Sequence, residues 1–245
     1  MRGRWHLLFP AMALLLSAPL VHAHAAAGSG AGIRDVGVLT PNEVLAETGR
    51  TIAQWGARWW QWAFDHPEIL GDTTGEFGHL GDVGGPVFFA LGSGGDPVRA
   101  RYEVPGDQYI LLPVATYIWT FFDPCAEVDC ARRIVNRNFI ADISRVSVEI
   151  DGDRVRNLSA HLVRVSSNNP LVFKVDAGPI QPDGYGGILD AVQGGYWVML
   201  EPLSPGRHHI SMFSTVPDLD PFTGEPLGGS VDLEAELLLR PVRRR

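Results

Sequence analysis

The sequence is short of several things, and each shortage narrows what the chain can be. It holds 2 cysteines in 245 residues and one lysine, Lys174. Basic residues number 20 against 28 acidic ones, for a net charge of -8, and the one basic run is Arg243 to Arg245 at the end. Phosphate backbones need a basic footprint, so a nucleic-acid partner is not expected. The longest apolar run, Leu7 to Val21, is broken by Pro10, Ser17 and Pro19. A membrane-spanning helix needs about 20 apolar residues in a row, so no transmembrane segment is expected in the mature chain. No Gly-x-Ser-x-Gly elbow, His-Glu-x-x-His pair, phosphate-binding loop or dinucleotide glycine pattern occurs. An enzyme is thereby disfavoured without being excluded, because glycosidase carboxylates carry no short signature.

The first residues read as a secretory signal peptide. Arg2 and Arg4 precede the apolar run, and small residues follow around Ala23, Ala25, Ala26 and Ala27. Cleavage is expected after Ala23 or Ala25, giving a secreted or periplasmic protein; the first cut would leave His24 as the new N-terminus. No cysteine near the cut suggests a lipid anchor. The mature part would carry 18 basic and 28 acidic residues, a net charge of about −10. In an oxidising compartment Cys125 and Cys130 are expected to form a disulfide closing a small loop. Zinc would require further thiolates or imidazoles, and none flank the pair.

Beyond a Gly/Ala-rich lead, Thr40-Pro41-Asn42-Glu43 and Thr51-Ile52-Ala53-Gln54 are capping boxes. After the second, Ile52, Trp55, Trp59 and Trp62 recur at spacings of three and four, the stripe of one helix face, until His66-Pro67 stops the helix. Residues 71–85 form a glycine-rich acidic loop. From Val87 the texture changes to short strands separated by Gly, Pro and Asp. Val146, Val148 and Ile150 alternate ahead of an Asp151-Gly152 hairpin turn, and Val231 to Arg240 alternate apolar and charged residues. The expected fold is mainly β: an antiparallel β-sandwich, jelly-roll or immunoglobulin-like, with an N-terminal helical segment packed on it. The expected division is a signal peptide over 1–23, a helical segment and loop over 24–84 and a sandwich body over 85–245, the last two making one globular unit.

The helix Trp59-Trp60-Gln61-Trp62-Ala63-Phe64, the segment Asp72 to Phe77, the strand Gly85 to Phe89 and the stretch Leu203 to Ile210 resemble a group of secreted bacterial proteins with no assigned activity. The resemblance covers most of the mature chain in outline and brings no catalytic residues with it.

Several side chains invite chemistry. Trp55, Trp59 and Trp62 read as a buried stripe, with Trp119 and Trp197 in the core; Trp60, off the stripe, is the better candidate for a surface contact with a sugar ring. His208 alternates with Ile210 and Met212, which points it inward as a hydrogen-bonded structural histidine, and His209 then points outward. The loop carrying Asp72, Glu76, His79 and Asp82 combines carboxylates, an imidazole and nearby aromatics. With Trp60 it forms the candidate ligand-binding site, for a carbohydrate or a divalent cation, although a solvated loop covering the core edge is the simpler alternative. A second acidic turn surrounds Asp218, Asp220 and Glu225. The expected function is a secreted binding or structural module of the cell envelope or extracellular space. The alternatives are a secreted polysaccharide hydrolase or lyase, and a copper monooxygenase using mature N-terminal His24, for which the flexible Ala/Gly run would be a poor rigid support.

Overall fold

A computed structural model describes residues 37–122, 125–182 and 184–243. The signal segment, both cleavage positions and His24 lie outside the described residues. The described residues all belong to one compact unit.

Strand β1 (Val38–Leu39) leads into helix α1 (Pro41–Thr48). Both capping boxes form: Glu43 accepts from the Thr40 amide at 2.7 Å and Gln54 from the Thr51 amide at 2.9 Å, each satisfying a donor that a bare helix start leaves open. Gly49, at φ 72, ends α1 in the left-handed region. Helix α2 (Ile52–Asp65) buries Ile52, Trp55, Trp59 and Trp62, so the stripe read from spacing faces the protein interior. Trp59 Nε1 donates to the Ala90 carbonyl at 2.9 Å, and Trp197 Nε1 donates to Gln193 Oε1 at 2.8 Å. Gly56 is where α2 comes closest: a Cβ there would sit 2.8 Å from both Gln193 Nε2 and the Trp197 ring.

The rest is mainly β. In chain order the strands are β2 (Val87–Phe89), β3 (Val98–Pro105), β4 (Tyr109–Thr120), β5 (Ser144–Ile150), β6 (Asp153–Arg154), β7 (Leu162–Val163), β8 (Phe173–Asp176), β9 (Ile188–Leu200), β10 (His208–Leu219) and β11 (Pro226–Val242). One sheet runs β2, β4, β9, and β1, β7 and β8 pair with β9 at successive positions; the other runs β3, β11, β10, β5, β6. The sheets share one apolar core, to which Phe88, Ile110 and Leu112 of the first and Val98, Ala100, Ile210 and Leu237 of the second belong, while Trp197 packs on the other face of the first sheet against Trp59 of α2.

Wholly antiparallel sheets were expected, and this is corrected: both sheets are mixed, because β2 runs parallel to β4 and β3 parallel to β11. The cause is the path of the chain. Strand β3 lies in the second sheet between two strands of the first, so residues 90–108 act as the long crossover that parallel neighbours require. Strand β4 is continuous over its 12 residues, with a register shift between Pro113 and Ala115 where proline cannot donate to the ladder. The β5–β6 turn has Asp151 at φ 53 and Gly152 at φ 86, the two positive values a type I′ hairpin needs.

Helix α3 (Val128–Arg133) and the tighter and wider turns after it, over 134–142, had no counterpart in the sequence reading. They bury Ile134, Val135, Phe139 and Ile140 against Trp119 and Val192 in a second apolar cluster. Cys125 and Cys130 are joined by a disulfide across a Cα separation of 5.6 Å. Among the described residues no helix is long and apolar enough to cross a membrane.

Candidate functional site

The glycine-rich loop is organised from within by Asp72. This side chain is only 7% exposed. Its Oδ1 accepts from the Thr74, Gly75 and Glu76 amides at 3.0, 2.8 and 3.3 Å, and its Oδ2 from the Phe77 amide at 2.8 Å. Burial opposes ionisation, but the donated hydrogen bonds from Phe77, Thr74 and Gly75 outweigh it and hold the carboxyl below its ordinary range. The folded loop then lies along the open edge of β3, where the Thr73 and Thr74 carbonyls accept from the Arg99 and Arg101 amides at 2.8 and 3.4 Å. A sheet edge that would otherwise display unpaired donors is thus covered. Gly75, at φ 85, permits this approach, since a Cβ would lie 2.9 Å from the Ala100 side chain and the Arg101 nitrogen.

The other residues of the sequence-based site fall in different places. Glu76 is exposed, and Trp60 is half-buried, edge-on to Trp59 at 5.0 Å. His79 and Asp82 reach the larger of two clefts, which has a volume of about 810 Å³. It is lined by Arg58, Gln61, Trp62 and Asp65 of α2 and its cap His66, by Phe89 of β2, by Lys174 and Asp176 of β8 and by Ile188 of β9. The structure therefore brings His79 and Asp82 together with Trp62, while Trp60, Asp72 and Glu76 do not line the cleft. Positions 58, 61, 62 and 65 recur at three and four along α2, so this wall is a helix face next to the tryptophan stripe, visible in the spacing once that stripe is placed.

Both signs of charge meet there. Lys174 Nζ pairs with Asp190 at 2.8 Å, and Asp176 Oδ1 accepts from the Gly178 amide at 2.9 Å. Asp82 Oδ1 accepts from Gln108 Nε2 at 3.0 Å. The Glu76 carbonyl can only accept, so His79 Nδ1, at 3.1 Å, donates to it. Arg58 makes no ion pair or hydrogen bond among the described residues, and Trp62 Nε1 is buried without a partner among them. No three His, Cys, Asp or Glu side chains among the described residues are grouped so as to hold a metal ion.

A smaller cleft of about 320 Å³ lies by the β5–β6 turn, lined by Asp151, Asp153, Glu201, Ser204 and His208. His208 opens β10 with its side chain 13% exposed, and its Nδ1 lies 2.7 Å from Asp151 Oδ2. His208 Nε2 lies 2.8 Å from the Ser204 carbonyl and 3.3 Å from Ser204 Oγ. Asp151 Oδ1 accepts from the His209 amide at 2.8 Å. Burial alone would raise the Asp151 carboxyl, but that amide bond and the imidazole beside it bring it below its ordinary range. His209 points away from the cleft, to Glu236. The acidic turn at Asp220 is also closed on itself, Oδ1 accepting from the Thr223 and Phe222 amides at 2.7 and 2.9 Å.

No family model matches the chain, and neither a curated protein nor a solved structure matches it.

Proposed function

We propose that the protein is a binding module of the cell envelope or extracellular space, and that its ligand is hydroxyl-rich, of the carbohydrate class, seated in the larger cleft. The observation that carries this reading is the cleft itself: donors and acceptors of both signs, from Arg58, Gln61, Asp65, His79 and Lys174, surround it above the buried rings of Trp62 and Phe89. Sugars present closely spaced hydroxyl donors and acceptors, and such a lining answers them. Arg58, exposed and without an ion pair or hydrogen bond among the described residues, favours a ligand rich in acceptor oxygens. Export is part of the proposal, resting on the charged, apolar and small-residue order of the first 27 residues. The two packed sheets with one shared core support a sandwich architecture, and their two parallel pairings depart from the wholly antiparallel jelly-roll and immunoglobulin plans.

Thermal melting of the protein with a panel of soluble oligosaccharides tests the proposal, because a ligand that binds only the folded state raises the melting temperature. At least one oligosaccharide should stabilise the parent, and Arg58→Ala and Asp65→Ala, both at exposed helix positions, should abolish that shift while melting normally without ligand. If none stabilises the parent, or if both variants respond as the parent does, the cleft is not the site.

A further inference from the structure

The smaller cleft carries an arrangement that ligand binding in the larger one does not use. Its members come from three places in the chain: Asp151 from the β5–β6 turn, Ser204 from the loop after β9, and His208 from the first position of β10. The contacts run in a fixed order, with the hydroxyl of Ser204 3.3 Å from Nε2 of the imidazole and the carboxylate of Asp151 2.7 Å from Nδ1. Hydroxyl to Nε2 and carboxylate to Nδ1 is the connectivity of nucleophile, general base and orienting acid in acyl transfer, and it is recognised by geometry irrespective of position in the chain. The orienting acid is itself held, since its second oxygen accepts from the His209 amide. Ser204 is exposed at the rim while the imidazole is largely covered, so a molecule entering the cleft meets the hydroxyl.

We propose that Ser204, His208 and Asp151 form a nucleophilic site that hydrolyses small neutral or cationic esters. Asp153 and Glu201, in the same cleft, disfavour anionic ones. Ser204 Oγ attacks the ester carbonyl carbon, and as the new C–O bond forms the hydroxyl proton passes to His208 Nε2. The bond to the alcohol breaks, and the leaving oxygen takes that proton. Water then repeats the sequence on the acyl-serine, releasing the acid and restoring Ser204. Asp151 is a positioning residue: it holds the ring with Nε2 toward Ser204.

The Ser204 carbonyl, 2.8 Å from Nε2, is a competing acceptor. A carbonyl engages Nε2 only when that nitrogen carries a proton, and Oγ–H can donate to Nε2 only when it does not. The nucleophilic arrangement is therefore the one in which Nε2 is free of a proton and faces Ser204 Oγ rather than the carbonyl.

The test uses the full chain with p-nitrophenyl acetate as substrate and a fluorophosphonate as covalent probe, the labelled residue being located by peptide mass. The expected result is one adduct, on Ser204, together with hydrolysis of the ester. Ser204→Ala should lose both, by at least about tenfold, at an unchanged melting temperature. Asp151→Asn keeps a residue suited to positive φ in the turn and should lower kcat while leaving KM in place. Absence of an adduct on Ser204, hydrolysis that survives in Ser204→Ala, or parental kcat in Asp151→Asn would each overturn the proposal. Binding of oligosaccharides in the larger cleft is a separate outcome and bears on neither variant.

Discussion

Asp72 shows how far one side chain's role can differ from what its type and surroundings suggest. A carboxylate in a glycine-rich loop beside an imidazole reads as a ligand, yet here both oxygens are directed at the loop's own amides, from Thr74 to Phe77. Hydrogen bonds to a charged group contribute about 1.5–3 kcal/mol, and removing the acceptor leaves several amides to be satisfied anew. Asp72→Ala should therefore lower the unfolding free energy by about 2–3 kcal/mol in a denaturant titration. Because the carboxyl titrates lower in the folded state than in the unfolded one, its stabilisation is present above the unfolded value near 3.8 and disappears as pH falls through the folded value. A loss under about 0.5 kcal/mol at neutral pH would show the loop to be held by other means, and would return Asp72 to the list of candidate ligand groups.

Among the elements, those governed by near neighbours were legible in the sequence and those governed by distant ones were not. The caps of α1 and α2, the buried face of α2, the hairpin turn at Asp151-Gly152 and the disulfide all depend on residues within a few positions of one another, so spacing alone specified them. The parallel pairing of β3 with β11 depends on which sheet β3 enters, a choice made by packing across the whole chain. Helix α3 was hidden because it is one short turn and a half, with its apolar residues concentrated in the irregular turns that follow it. The candidate site was half legible for a similar reason. His79 and Asp82 stand in the loop that was singled out, whereas Lys174 and Asp176 reach the cleft from a strand about a hundred residues later. Helix α2 links the two cases, since its buried face anchors the element whose adjoining face forms the cleft wall. Trp59 is the centre of that anchor, packed edge-on to Trp60, Trp62 and Trp197 and hydrogen-bonded to Ala90. Trp59→Ala should cost about 3–5 kcal/mol of stability, read from denaturant melts. A cost under about 1 kcal/mol would mean that the stripe does not hold α2 in place.

At the scale of the whole molecule, one flank of the longest strand of the first sheet is completed by short strands, and the way one of them is delivered makes stability depend on pH. The long strand β9 is flanked on one side by β4 and on the other by the short pieces β1, β7 and β8, laid end to end. Strand β7 is delivered by a single tight turn, Leu158–His161, whose last side chain is buried. Burial withdraws His161 from water and lowers its affinity for a proton. The unfolded chain takes up that proton near pH 6.5, while the folded chain resists doing so until the pH is lower. Over that window the unfolded state binds more protons, so folding stability should fall as the medium is acidified below about 6.5, and the effect should level off once the folded ring is also charged. Above that pH the ring is neutral in both states and contributes no slope. Denaturant titrations at a series of pH values from 8 to 5 would measure the effect, with His161→Phe as the comparison because an apolar ring keeps the burial and removes the titration. The stability difference between parent and variant should widen in the variant's favour as pH falls through the window. If the two curves stay parallel across it, His161 is not the group that couples this edge of the sheet to acidity.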